Sequence, residues 1–498
     1  MTIRLVVDGR GAHRRAMVEQ LVARAQGAVE IAFHLGDVGA DLSGPEINRM
    51  RPGHAGTDDL MQRFRLSGAD LPLILSPDYH QMVETAIDQL QRSDAAYRYR
   101  AHNLRNLQDY LDFYHLLAGA YAQRIRETGA THALFMNVPH VGYDTILYQV
   151  ARALGLKTVV LYQTLFPGQF FSMARVEDLG RLDTSGIDAP PMPIEKGSSP
   201  DLFYMDARWQ EKAPRGRISG RAVARFVKFM ALRDPKKLLN PAYMRRTLGR
   251  ISALYQGLPD WRDPFARFFH ENELAYFENL AEYESGDFDL EADFIYVPLQ
   301  NQPELSTSAL GGIWRDQLLM IEALAQDLPA GWKIYVKENP RQTAFARGPL
   351  FFHRLSRIPS VRFLPSHANT HALSSRAKFT AAVTSNACWE SIRKGKAAVA
   401  FGAAWYRSLP GIVAWRPGLD FHQIAALPVD HAALEKAAGA VLSRAHQGVL
   451  ETVYTEIVQG YDAEANTRTV SAQLLDILTG KVPLTFPDAS APAERGLA

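Results

Sequence analysis

The mostly apolar segment Ile3 to Val7 runs into Asp8-Gly9-Arg10-Gly11, and a helix-period pattern follows from His13 to Ala25. Such a run, a glycine loop and an amphipathic stretch predict strand, loop and helix, the opening of an α/β domain. The pattern recurs further on: Ala133 to Met136 is strand-like, Asn137 to Asp144 a loop, Thr145 to Leu154 helical, Gly155 a stop, and Thr158 to Tyr162 the next strand. That spacing fits a βαβ crossover and hence a parallel sheet. A third copy opens near Asp293, with strand Phe294 to Val297, a long loop to Gly312, helix Trp314 to Ala325 and strand Lys333 to Val336. The fourth has strand Phe379 to Val383, loop Thr384-Ser385-Asn386, helix Ala387 to Lys394, Gly395, and strand Ala397 to Phe401. Two α/β halves in one chain predict a bilobal protein with a cleft between them.

Between these halves, Asp183 to Pro200 turns to Pro, Gly, Ser and Asp and reads as a linker or surface loop. From Lys212 to Arg250 basic residues outnumber acids and alternate with Val223, Phe226, Val227, Leu238 and Leu239, the pattern of a basic amphipathic helix pair. Ala432 to Thr479 is helical in pattern, and residues beyond Pro483 read as a frayed tail. The expected division is therefore 1–185, a linker and basic helical insert at 186–290, a second α/β domain at 291–430, C-terminal helices at 431–482 and a flexible tail at 483–498.

At 498 residues the chain exceeds what one core supports, and 47% apolar with 22% charged residues describes a packed, water-soluble protein. A net charge of +2 sets aside a global polyanion binder, and no nucleic-acid partner is expected. The single cysteine, Cys388, forbids an internal disulfide and a cysteine-based metal site, so a reducing cytoplasm is the expected location. The first residues lack a signal-peptide pattern, and no apolar run approaches membrane-spanning length.

Two stretches carry candidate chemistry. Thr384-Ser385-Asn386 ends a strand and opens a helix, where unpaired backbone N–H groups and hydroxyls can seat a phosphate. Glu390, a turn inside that helix, could accept hydrogen bonds from ribose hydroxyls; an ordinary N-cap with a solvated glutamate has the same pattern. Lys337-Glu338-Asn339-Pro340-Arg341 again follows a strand, placing cations and a carboxylate where nucleotide phosphate could be neutralised; a surface ion pair before a turn would read identically.

Taken in order, Tyr296-Val297-Pro298-Leu299-Gln300-Asn301-Gln302-Pro303-Glu304, Val336 to Pro340, Thr384-Ser385-Asn386 with Glu390 and Gly395, and Phe401-Gly402 with Trp405-Tyr406 resemble the nucleotide-binding half of the capsule polysaccharide biosynthesis family, which includes the Kdo transferases. Asn137 to His140 and Gln163 to Gly168 support it in the first half. The resemblance implies the GT-B fold, two Rossmann-like domains facing a central cleft, the second holding a nucleotide sugar through Lys337, Glu338, Asn339, Arg341, Thr384, Ser385, Asn386 and Glu390. Asn339 stands where the family has histidine, and asparagine carries no proton or charge at neutral pH.

In the first half the resemblance places the acceptor side. Asp8, His140 and Asp144 are candidates for the base that takes the acceptor hydroxyl's proton, with Arg10, His13, Glu177 and Asp178 nearby candidates. It implies a glycosyltransferase that builds a capsule or lipopolysaccharide-type glycan, with a nucleotide sugar, CMP-linked donors among them, as co-substrate and no other cofactor. No metal is expected: His367 and His371 lack acidic companions. The partners are the donor, a glycan or lipid-linked acceptor and, through Lys212 to Arg250, an anionic inner-membrane surface, which would make the protein peripheral there. Three other activities share this pattern: a CDP-polyol phosphotransferase of teichoic-acid type, a sugar-nucleotide epimerase or hydrolase, and an inactive glycan- or nucleotide-binding partner.

Overall fold

The structure is a computed structural model that describes residues 2–37, 40–47, 70–96, 106–197, 224, 227–228, 231–232, 235–255, 279–280, 282–284, 287–339, 342, 347–365 and 368–487. The chain forms two compact units, Met1–Pro191 with Lys436–Ala498, and Met192–Glu435. The boundary at Pro191 falls inside the Pro- and Gly-rich stretch read as a linker. Within its described part Met192 N donates to Glu435 O at 2.9 Å and Gly197 N to Arg393 O at 3.1 Å, both within the second unit.

The first unit is built on a seven-stranded sheet of β1 (Ile3–Asp8), β2 (Val29–Gly36), β3 (Leu42–Ser43), β4 (His132–Phe135), β5 (Lys157–Gln163), β6 (Gln169–Met173) and β13 (His446–Gln447). Their order is β13-β6-β5-β4-β1-β2-β3. β3, β2, β1, β4 and β5 run parallel, while β6 and β13 pair antiparallel with their neighbours. The second unit has six parallel strands: β7 (Phe294–Pro298), β8 (Lys333–Lys337), β9 (Val361–Leu364), β10 (Phe379–Ala382), β11 (Ala398–Ala400) and β12 (Ile412–Ala414), in the order β12-β11-β10-β7-β8-β9. In each sheet the chain builds outward from its first strand, then returns and builds the other way. The reversal falls between β1 and β4, and between β7 and β10. Loops leaving the strand ends diverge at such a point and leave a crevice.

The cores follow from the strand pattern. Buried on both faces, parallel strands must be apolar throughout, and Leu5, Val6, Val7, Leu134, Ile295, Val297, Ile334, Val336 and Phe379 are all buried. The C-terminal segment is not a separate helical piece. His446–Gln447 joins the first sheet as β13, and Val470, Leu474, Ile477 and Leu478 of helix Ala463–Leu478 complete the core beneath β1 and β4. An amphipathic helix buries its stripe on the nearest unpaired apolar face, here the first sheet.

The expected tail at 483–498 needs correction for its described part. Phe486 is buried with its ring 5.1 Å from Phe171, its N–H donates to Ser172 O at 3.0 Å, and the Thr485 hydroxyl donates to Arg444 O at 2.9 Å. The helix read from Trp314 begins at Gln317, because the Asp316 side chain caps it by accepting from Leu318 N at 3.1 Å. Of the basic insert, helices Pro235–Leu238 and Pro241–Tyr255 are described. Tyr243 and Met244 pack on the second core, whereas Leu232 and Leu239 stand 78% and 83% exposed. Among the described residues no helix is long and apolar enough to cross a membrane.

Candidate functional site

At the reversal point of the second sheet the strand ends are tied by side chains acting as extra backbone. Gln300, just after β7, accepts from Thr384 N at 2.8 Å through its Oε1 and donates from Nε2 to the Thr384 hydroxyl at 3.0 Å. That hydroxyl donates in turn to Ser306 O at 2.6 Å. Gln317 closes the other side, accepting from Gln300 N at 2.7 Å and donating to Gln300 O at 2.9 Å. The crevice between β7 and β10 is thus held by a satisfied polar network, which fixes loop geometry more rigidly than apolar contacts would.

The loop after β8 is anchored to the same place. Arg347, 1% exposed, pairs with Glu338, 0% exposed, at 3.0 Å. It also donates to Gln302 Oε1 at 2.6 Å and to Gln300 O at 3.1 Å. The second Glu338 oxygen accepts from Asn339 N at 2.8 Å. Gln342 donates to Gln302 O at 3.0 Å and accepts from Gln302 N at 2.8 Å. Glu338 therefore holds the loop from within rather than facing outward as a ligand contact, a correction to the sequence reading that follows from its burial and its committed oxygens. Asn339 is half-buried beside it, and Arg341 lies outside the described residues. Lys337 is buried at the strand end; burial lowers its pKa, against the pull of Glu338 and Glu284.

Ser385 is the N-cap of helix Asn386–Arg393 and accepts from Ala387 N at 3.2 Å. The Tyr406 hydroxyl donates to Ser385 O at 2.5 Å. The two hydroxyls offered by sequence to a phosphate are therefore engaged inside the protein. Glu390 is buried within the helix, and burial raises its pKa against Lys394, His371 and Arg393.

The reversal point of the first sheet gathers Asp8, Arg10, Asp144 and His140. Gly11, at φ +92°, turns the chain from β1 into helix Ala12–Ala25, a backbone region open to glycine. Asp144 is buried and accepts from the backbone N–H groups of His140, Val141 and Thr145 at 3.1, 2.9 and 2.7 Å, so it closes its own loop. Asp8 is buried too; burial first, then the Asp144 carboxylate, push its pKa up to about 7, against Arg10 and Arg14. The Arg10 guanidinium lies 5.4 Å from the centre of the Tyr143 ring. His140 donates from Nδ1 to Val138 O at 2.7 Å. In a neutral ring that leaves Nε2 as the basic nitrogen.

The remaining acceptor-side candidates are not in this group. His13 donates from Nε2 to Val449 O at 3.0 Å, and the neighbouring Arg14 pairs with Glu451 at 2.5 Å and donates to Leu450 O at 3.2 Å, so this helix face clamps the returning C-terminal segment. Glu177 and Asp178 follow β6, which runs antiparallel to β5 and carries the chain to the opposite sheet edge. There Asp178 is buried in a two-bond pair with Arg175. Both are removed from Asp8 because strand direction reversed.

Sequence reasoning passed over Arg347, Gln317, Gln342 and Tyr121. Arg347 sits in an unremarkable Ala-Arg-Gly-Pro context; the one signal was Glu338, an acid directly after a buried strand, which needs a partner. Tyr121 is buried where Tyr143, Asp8 and Asp144 all raise its pKa after burial does, well above the usual value. Among the described residues no group of three or more His, Cys, Asp or Glu could hold a metal ion; His367 lies outside them.

Two Rossmann-like α/β units in one chain, each with a polar reversal point at the carboxyl ends of its strands, are the plan of the GT-B class. Residues 271–441 match the family model described as capsule polysaccharide biosynthesis protein. That segment contains the polar reversal point of the second sheet.

No curated protein sequence matches the chain. Similar solved structures include two from Thermosulfurimonas dismutans. The KpsC beta Kdo 2,7 transferase is 12% identical, covering 76% of this chain and 95% of that one, with a TM-score of 0.31. The KpsC beta Kdo 2,4 transferase is 16% identical, covering 63% and 79%, with a TM-score of 0.25. Anabaena Alr3699/HepE, solved in complex with UDP and glucose, is 12% identical, covering 96% and 100%, with a TM-score of 0.25. Likeness at this level transfers no activity.

Proposed function

We propose that the protein is a glycosyltransferase that moves a sugar from a nucleotide-activated donor to a growing capsule-type surface glycan. The observation that carries this reading is the coincidence of the family segment with the braced crevice between β7 and β10. Lys337, Asn339, Arg341, Asn386 and Glu390 would meet the donor, with Glu338, Thr384 and Ser385 shaping the loops that present them. At the first unit's reversal point Asp8, poised near pH 7, would take the acceptor hydroxyl's proton, with Arg10 and His140 beside it. The acceptor oxygen then bonds to the anomeric carbon as the bond from that carbon to the nucleotide phosphate breaks. Lys337 and the helix start offset the charge left on the phosphate, without a metal.

Nucleotide-dependent thermal stabilisation tests this. One of CMP, CDP, UDP, GDP or dTDP, or a sugar conjugate, is expected to stabilise the chain by about 2.7 kcal/mol at a hundred times its dissociation constant. Ser385→Ala and Glu390→Ala should weaken that response. No shift with any nucleotide would sink the reading and favour an inactive glycan-binding partner.

The same reading places the protein on an anionic inner-membrane surface through Lys212 to Arg250. The exposed Leu232 and Leu239 near Lys236 and Lys237 support it. Sedimentation with anionic but not zwitterionic vesicles, falling as salt rises, is expected; equal recovery with both would refute it.

A further inference from the structure

The amino-terminal edge of the first sheet, opposite the edge of Asp8 and His140, holds a cavity of about 520 Å³. Four basic side chains border it: His132, Arg152, Lys157 and Arg175. No acidic side chain borders it with them. His132 and Lys157 are register partners on the parallel strands β4 and β5. Burial and Lys157 hold the His132 pKa below its ordinary value, so at pH 7 this ring is neutral. Arg175 is neutralised by Asp178. Arg152 donates to the Tyr148 hydroxyl at 3.3 Å, and among the described residues no carboxylate pairs with Arg152 or Lys157.

Arg152 and Lys157 are exposed, and the Glu177 carboxylate reaches the Tyr148 hydroxyl that Arg152 holds; with four basic and no acidic side chains on its lining, the recess still favours an anion. The facing wall is apolar, formed by Leu156, Ile477, Leu478 and Leu484. Only a ligand with a charged end and an apolar body satisfies both surfaces, and the volume suits a small molecule. A guanidinium and an ammonium lining one recess match a phosphate better than a carboxylate, since phosphate offers more acceptor oxygens and up to two charges.

We propose that this recess binds an organic phosphate, its phosphate toward Arg152 and Lys157 and its apolar part against Ile477, Leu478 and Leu484. The site does not rest on the transfer reaction above. It lies at the other edge of the sheet and takes its apolar wall from the end of helix Ala463–Leu478 and the turn after it. Occupancy therefore ties the docking of that helix to the presence of the ligand.

The test reads Lys157 directly, by the rate at which its amine is acetylated in the full chain, followed by mass spectrometry with the exposed Lys196 as control. Hexyl phosphate is expected to protect Lys157 and not Lys196, at a concentration about tenfold lower than inorganic phosphate needs, because the alkyl chain is buried against the apolar wall. Arg152→Gln should abolish the protection. Vesicles containing phosphatidic acid form a second arm: protection there identifies a lipid headgroup as the source, and protection by the soluble ester alone identifies a free metabolite. Either supports the site. An unchanged Lys157 rate at millimolar hexyl phosphate, protection equal to that by inorganic phosphate, or protection that survives Arg152→Gln would overturn it.

Discussion

Replacing Arg347 by methionine is expected to destabilise the second unit by about 3–5 kcal/mol, the cost of removing one partner of a buried ion pair. The guanidinium satisfies Glu338, Gln302 Oε1 and Gln300 O, all buried. Its loss leaves a carboxylate in a dry interior without a counter-charge, and that desolvation cost dominates over any lost packing. Replacing both residues, Glu338→Met with Arg347→Met, should be milder than the single change, because no unpaired charge then remains. All seven tryptophans of the sequence lie between residues 192 and 435. Tryptophan fluorescence during urea unfolding therefore reports the second unit alone. If the single variant unfolds at the native urea concentration, or the double variant is worse, Arg347 is not the anchor described.

Asp8→Asn is expected to stabilise the first unit at pH 8 by about 2–4 kcal/mol while lowering glycosyl transfer by about 10²–10⁴-fold. The folded pKa, about 7, lies above the ordinary 3.8. A carboxyl shifted in that direction leaves stability intact below the unfolded value and reduces it as pH rises from about 4 to 7, since the unfolded state ionises first. Asparagine imitates the protonated form at every pH. Native and variant should thus be nearly equal at pH 4 and diverge by pH 8, read by amide hydrogen exchange in peptides spanning β1 and β4. A variant no more stable at pH 8 would show that Asp8 does not hold its proton. A group that costs stability in its ionised form is what a poised base requires.

These predictions draw on the sequence unequally. The shared sheet edge of Asp8, His140 and Asp144 was legible because Asp8 ends one strand while His140 and Asp144 lie in the loop and first helical turn after another, and a strand end fixes which sheet edge such residues occupy. The place of Ser385 at a helix start was legible for the same reason, and there its hydroxyl caps the helix. The Arg347–Glu338 pair was not legible. Nothing in the nine-residue spacing says that both side chains turn inward, since that depends on the loops after β7 and β8 meeting.

By itself the sequence determined the two α/β units and their strand–loop–helix punctuation, because apolar periodicity and glycine stops are local properties. Only the tertiary structure decided that β6 turns back, removing Glu177 and Asp178 from the Asp8 edge. It also decided that His13 and Arg14 hold the C-terminal segment, and that Phe486 closes over Phe171. Those outcomes depend on which distant apolar face is left uncovered once the sheets form, and burial of such a face is non-directional, leaving no mark in the spacing of neighbouring residues.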